Sequence, residues 1–133
     1  MKQDTITSSQ RIEALLNGKL PDRVPLFHFA LGFCAKNVGY TVSTIYREPE
    51  KSFTAQALTK QQYGHDGDPF FDYASCGGWE FSGETKLPEG EYEQALSHGR
   101  PAVTSEKDVE RLELPDIKIA GMLPHAMRFS HLQ

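Results

Sequence analysis

Four residues in this chain are candidates for chemistry. His28 lies near the end of the apolar run Val24-Pro25-Leu26-Phe27-His28-Phe29. An imidazole there can act as a general acid or base or as a polar contact to substrate. It can equally be a core histidine with one nitrogen satisfied. Asp72 lies in a second run, Phe70-Phe71-Asp72-Tyr73-Ala74. Its carboxylate reads as a catalytic acid/base or electrostatic anchor, or as the cap of the next turn. Tyr73 beside it joins His28 as a candidate substrate contact. Cys76 could be a nucleophile or a metal ligand, but no partner stands at ligand spacing.

Other chemistries find little support. His28, Cys34, His65, Cys76, His98, His125 and His131 are scattered singly, so no metal site made wholly within the chain is expected. Gly77-Gly78 lacks the strand and helix that a phosphate cradle needs, and there is no P-loop and no Ser-His-Asp pattern. Trp79 and Phe81 read first as packing residues and second as an aromatic pocket wall. The net charge of -4 argues against nucleic acid as a partner. No stretch approaches the roughly 20 apolar residues of a membrane helix, and Met1–Gln10 has no apolar signal region. Two distant cysteines then read as reduced thiols, and cytoplasm is the expected location.

The elements that would position these residues follow from pattern and punctuation. A helix is expected over Ser8–Asn17, with Ser8 or Ser9 as cap, Ile12, Leu15 and Leu16 as its apolar face, and Gly18 as its stop. Residues 24–29 and 70–74 read as strands buried on both faces. Short helices fill Leu31–Tyr46, and a longer helix from Pro49 or Glu50 to Tyr63 ends at Gly64, with Phe53, Ala57, Leu58 and Gln61 on one face. Strand, helix and strand make a βαβ unit, so the fold class is α/β. Residues 79–86 and 91–97 read as an antiparallel pair, and Ser105–Arg111 as a short capped helix. A last helix over Ile119–Leu132 carries Ile119, Met122, Leu123, Ala126 and Met127 on one stripe. Two strands with this many helices imply the first part of a larger domain.

Several stretches, in order, resemble the N-terminal portion of the uroporphyrinogen decarboxylase family, which includes zinc- and corrinoid-linked methyltransferases. They are Arg11-Ile-Glu-Ala-Leu-Leu-Asn-Gly18, Pro21-Asp-Arg-Val-Pro25, Tyr63-Gly-His-Asp-Gly67, and Thr104–Leu112 followed by Leu114-Pro-Asp116. The resemblance implies the N-terminal part of a (β/α)8 barrel, incomplete in this chain, with its site at the strand ends. The decarboxylase branch carries an arginine-rich R-Q-A-G-R segment after the first strand. Here that place reads His28-Phe-Ala-Leu-Gly-Phe33, without arginine, which favours the methyltransferase-like branch. On that reading a small-molecule substrate is bound. Zinc and a corrinoid partner belong to the complete protein, with neither bound by this chain. The alternatives are a decarboxylase in which Asp72 stabilises a protonated pyrrole, and a non-catalytic fragment that completes a partner's barrel.

Overall fold

The computed structural model describes residues 4–71, 77–92 and 96–133. Six helices and one short hairpin follow in order: α1 (Ser8–Leu16), α2 (Leu31–Asn37), α3 (Val42–Arg47), α4 (Pro49–Tyr63), β1 (Thr85–Lys86), β2 (Ser97–His98), α5 (Glu106–Glu110) and α6 (Leu123–Ser130). Helix accounts for 41% and strand for 3%. The two strands pair antiparallel, with Thr85 opposite His98 and Lys86 opposite Ser97.

This corrects the expected α/β class and the (β/α)8 architecture. Val24–Phe29 belongs to no helix or strand, and of the expected second strand only Phe70 and Phe71 are described, neither of them in a strand. The reason lies in where the backbone hydrogen bonds go. Instead of a ladder partner, Leu26 N–H finds the Asp66 carboxylate at 2.8 Å. Its carbonyl accepts from Asp66 N–H at 2.7 Å. A strand needs a neighbouring strand along its length to satisfy these groups, and here one side chain has taken that place. The apolar side chains of the run consequently face outward: Phe29 is 82% exposed and Val24 84%.

The core forms where α2, α3 and α4 pack together, with α6 laid against α4. Cys34, Ala35, Val42, Ile45, Tyr46, Ala55 and Met122 make its buried cluster. Helix α4 begins with Pro49 at its first turn and ends at Gly64, which takes the left-handed conformation (φ 67°) that glycine adopts without steric cost. The face it buries is not the one hydrophobicity points to. Ser52, Ala55, Gln56 and Thr59 are buried, whereas Leu58 is exposed. Those four are spaced as one helical stripe, and the polar ones are satisfied. The Gln56 amide donates to the Phe70 carbonyl and accepts from Phe70 N–H, both at 2.9 Å. Thr59 Oγ1 accepts from Asn37 Nδ2 at 3.2 Å. Small and amide side chains let α2 approach closely and also tether the segment after α4.

Helix α1 is capped by Thr7, not Ser8 or Ser9: Gln10 N–H donates to Thr7 Oγ1, and Thr7 N–H to Gln10 Oε1. Its buried residue is Arg11, while Leu15 and Leu16 are exposed. The extended pair is shorter than expected, and Trp79–Ser82 forms turns. A buried carboxylate anchors that turn region: Glu80 accepts from Gly77 N–H at 2.6 Å and from Met122 N–H at 2.9 Å. Helix α6 starts later than predicted. Ile119 is exposed, and Phe129 is the side chain that docks the helix, its ring 5.5 Å from Phe53 and 5.2 Å from Phe71. Arg128 of α6 adds an exposed ion pair to Glu50 of α4.

Phe129→Ala removes that docking ring. A buried phenylalanine truncated to alanine costs about 3–5 kcal/mol, so the urea midpoint of the variant is expected to fall by a matching amount. A loss under about 1 kcal/mol would mean that α6 is held by something other than this contact.

Candidate functional site

The site is built on an ion-pair cluster. Asp66 follows α4 directly, its side chain fully buried. Oδ1 accepts from Arg11 Nη1 at 2.5 Å, and Oδ2 accepts from Arg23 Nη1 at 2.6 Å and from Leu26 N–H. Arg11 also holds Asp22 through two bonds, Nε to Oδ1 at 2.7 Å and Nη2 to Oδ2 at 2.9 Å. Arg23 holds Asp4 in the same forked manner at 2.9 and 3.0 Å and reaches the Gly64 carbonyl at 3.1 Å. Paired, planar forks of this kind are the strongest carboxylate contacts a protein makes.

The cluster controls its own ionisation. Burial works to raise the Asp66 carboxyl, but the Leu26 amide, Arg23, Ser8 and Arg11 outweigh it and hold the group well below the usual carboxylate range. Arg11, through its bond to Asp22, holds that second carboxyl low as well. Both are therefore charged at neutral pH.

Next to this cluster stand two imidazoles. His65 precedes Asp66, and His28 follows Leu26 by two residues, so the bonds that fix Leu26 to Asp66 bring the two rings together. Their centroids are 5.7 Å apart, with the planes inclined by 31°. His65 is 8% exposed. His28 Nδ1 and both His65 nitrogens are buried and make no well-formed hydrogen bond among the described residues, with the backbone of Gly67 close to the His65 ring. The rings share the walls of two adjoining cavities. One, of about 230 Å³, is lined by Leu26, His28, Phe33, Thr59, Tyr63 and His65. The other, of about 100 Å³, brings in Phe27, Phe29, Cys34, Gln56 and Phe70. Phe33 stands edge-on to both His28 and Tyr63, and Phe29 stacks on Phe70 at 4.9 Å. Gly67 lies against Phe27, where an added Cβ would meet the ring at 3.0 Å.

Burial, followed by the positive influence of His28 and Lys60, lowers the pKa of His65, which is neutral at neutral pH. Neither cavity has an arginine or lysine in its lining, and Lys60 itself pairs with Asp68 at 2.5 Å. The Cys34 thiol is raised by burial and stays protonated, so it is a packing group and not a nucleophile. A wider groove of about 510 Å³ runs past Trp79, Phe81, Arg111 and Asp116. The one buried carboxylate on it, Glu80, is already occupied by two backbone amides.

Of the residues singled out from the sequence, His28 is in this site. Asp72, Tyr73 and Cys76 lie outside the described residues. His65 was visible only as one of the scattered histidines and as a letter of the Tyr63–Gly67 motif, and no pattern of spacing joins it to His28, which is 37 positions away by number. The ionic residues were visible as motif letters. Arg11, Asp22, Arg23 and Asp66 come from three separate stretches and meet here as one cluster. Among the described residues no three His, Cys, Asp or Glu side chains are grouped to hold a metal ion, so a zinc site does not fit them. No helix among them is long and apolar enough to cross a membrane.

Two outcomes are expected from these ionisations. Because the Asp66 carboxyl is lower in the folded chain than its unfolded value near 3.9, its contribution is present above about pH 4 and is lost as pH falls further. Asp66→Asn leaves the buried Arg11 guanidinium and the half-buried Arg23 guanidinium short of charge and is expected to cost about 3–5 kcal/mol at neutral pH, with a flatter acid limb, read by urea unfolding at pH 7 and pH 3. An unchanged midpoint would contradict this. For His65 the folded value lies below the unfolded one near 6.5, so the unfolded chain binds the extra proton as pH drops. Stability then declines below about pH 6.5, and a His65→Phe variant should lack that decline. Identical melting profiles of the two proteins between pH 7 and pH 5 would refute a buried neutral imidazole.

Compared with known proteins, the chain matches no family model, no curated protein and no solved structure.

Proposed function

We propose that this chain contributes the small-molecule pocket of a methyl-transfer enzyme similar to the corrinoid-linked branch of the uroporphyrinogen decarboxylase family. The observation that carries the reading is the character of the cavity at His28 and His65: aromatic rings, two imidazoles, Asp68 at the rim, and no arginine or lysine. A porphyrinogen brings several carboxylates, and a site for them needs guanidinium or ammonium groups facing it. A neutral substrate needs none. The motif residues Arg11, Asp22, Arg23 and Asp66 meet in one ion-pair cluster beside the pocket. Zinc and a methylated corrinoid, which such a transfer requires, would be held elsewhere in the complete enzyme. What this chain does is bind and orient a neutral molecule, with His28 as one polar contact. A cytoplasmic setting goes with this reading.

A second reading is a partner-binding role, favoured by the outward-facing Val24, Leu26, Phe27 and Phe29. Another chain that covered them would be recovered with this one on purification.

The two enzyme readings separate in a titration that follows the ring signals of His28 and His65 by NMR. Small neutral ligands are expected to shift both, and a porphyrin tetracarboxylate neither. Saturable tetracarboxylate binding that His28→Phe abolishes would replace the methyl-transfer reading with the decarboxylase one. In the complete natural protein, consumption of methylcobalamin by a thiol should exceed that of thiol and zinc alone. No excess would count against methyl transfer.

A further inference from the structure

Folded proteins rarely leave a buried polar group without a partner, because each such group costs about 1–3 kcal/mol. Here His28 Nδ1 and the two His65 nitrogens, which have the Gly67 backbone nearby, make no well-formed hydrogen bond among the described residues and sit on two neighbouring rings that face the same pair of cavities. A neutral imidazole carries one donor and one acceptor. The neutral His65 ring can therefore both donate and accept, and His28, 5.7 Å away by centroid, adds a further ring nitrogen toward the same space.

The chemistry of the missing group follows. A carboxylate only accepts, and would bring an uncompensated charge into a lining without cations. An ammonium only donates, and the one carboxylate on the lining, Asp68, is already paired with Lys60. A hydroxyl does both at once and is neutral. The rest of the lining decides what the hydroxyl is attached to. Phe33 and Tyr63 meet edge to face at 5.5 Å beside His28, and Leu26 closes another side. Rings arranged in this way favour a further flat ring. Space is sufficient, since an apolar cavity of about 150 Å³ accommodates benzene and this one measures about 230 Å³. We propose that His28 and His65 form a binding site for a neutral, hydroxylated aromatic ligand, with its ring against Phe33 and Tyr63 and its hydroxyl between the two imidazoles. The proposal rests on reading this cavity as a small-molecule pocket and does not depend on methyl transfer.

The test uses the full chain and two probes of equal size, phenol and toluene, titrated while the aromatic and imidazole resonances are followed. Phenol is expected to bind about tenfold or more tightly than toluene, because toluene leaves the imidazole nitrogens unpaired. His28→Phe and His65→Phe should each bring that ratio close to one while toluene still binds. In the unaltered chain, ring-nitrogen shifts of both histidines should move with phenol and not with toluene, a readout that holds even if a variant fails to fold. Equal affinity for the two probes, or nitrogen shifts that ignore phenol, would overturn the hydroxyl site and leave the pocket standing. Binding of neither probe would overturn both.

Discussion

The stretches before α2 and just after α4 are joined by one buried carboxylate. Asp66 receives a guanidinium from α1, a second from the segment after it, and the backbone amide of Leu26. Removing a charge from water is costly, and the cost is offset only when the geometry is good and every remaining lone pair is used. Both oxygens of Asp66 meet that condition. The arrangement also fixes three stretches of chain that have few apolar contacts of their own. Helix α1 buries an arginine and exposes its leucines, so polar forks hold it where most helices rely on an apolar stripe.

The same bonds place the candidate site. Leu26 is tied to Asp66 through both its N–H and its carbonyl. The residues two on and one before, His28 and His65, are thereby brought side by side. Neither ring is oriented by a well-formed hydrogen bond of its own among the described residues. Their position is inherited from the backbone, and their free nitrogens remain available to a ligand. Catalytic and binding sites commonly take this form, with a rigid polar scaffold behind and unsatisfied groups in front. On the opposite side, Gln56 of α4 fixes Phe70 in a similar way, so one helix positions both walls of the cavity.

Punctuation made much of the helical framework legible. Pro49 and Gly64 bound α4, Gly18 follows α1, and Ser105 with Asp108 opens α5. What was not legible was which face each helix buries. Hydropathy selects Phe53 and Leu58 in α4, yet Ser52, Gln56 and Thr59 go inside, where Gln56 bonds Phe70, Thr59 bonds Asn37 and Ser52 accepts from Gln56. The strand expected at residues 24–29 fails for a related reason. An apolar run looks like a buried strand until its backbone has a ladder partner, and Asp66 takes that role through a contact 40 positions away. In the site, His28 stood out because it interrupts an apolar run, whereas His65 lay within the Tyr63–Gly67 motif and became informative only through its neighbour. The motif residues Arg11, Asp22, Arg23 and Asp66 were recognisable by order, but their common purpose is a matter of three-dimensional charge pairing.

The central claim is that the Arg11–Asp66 pair is a single structural unit on which the His28–His65 site depends. A double-mutant cycle tests it directly, combining Arg11→Ala and Asp66→Ala and reading both the urea midpoint and the ring signals of the two histidines. If the account is correct, the double variant is no less stable than the worse single variant, and all three variants lose the perturbed His65 signal together. Fully additive losses, or a His65 signal that survives in any of the three, would contradict it.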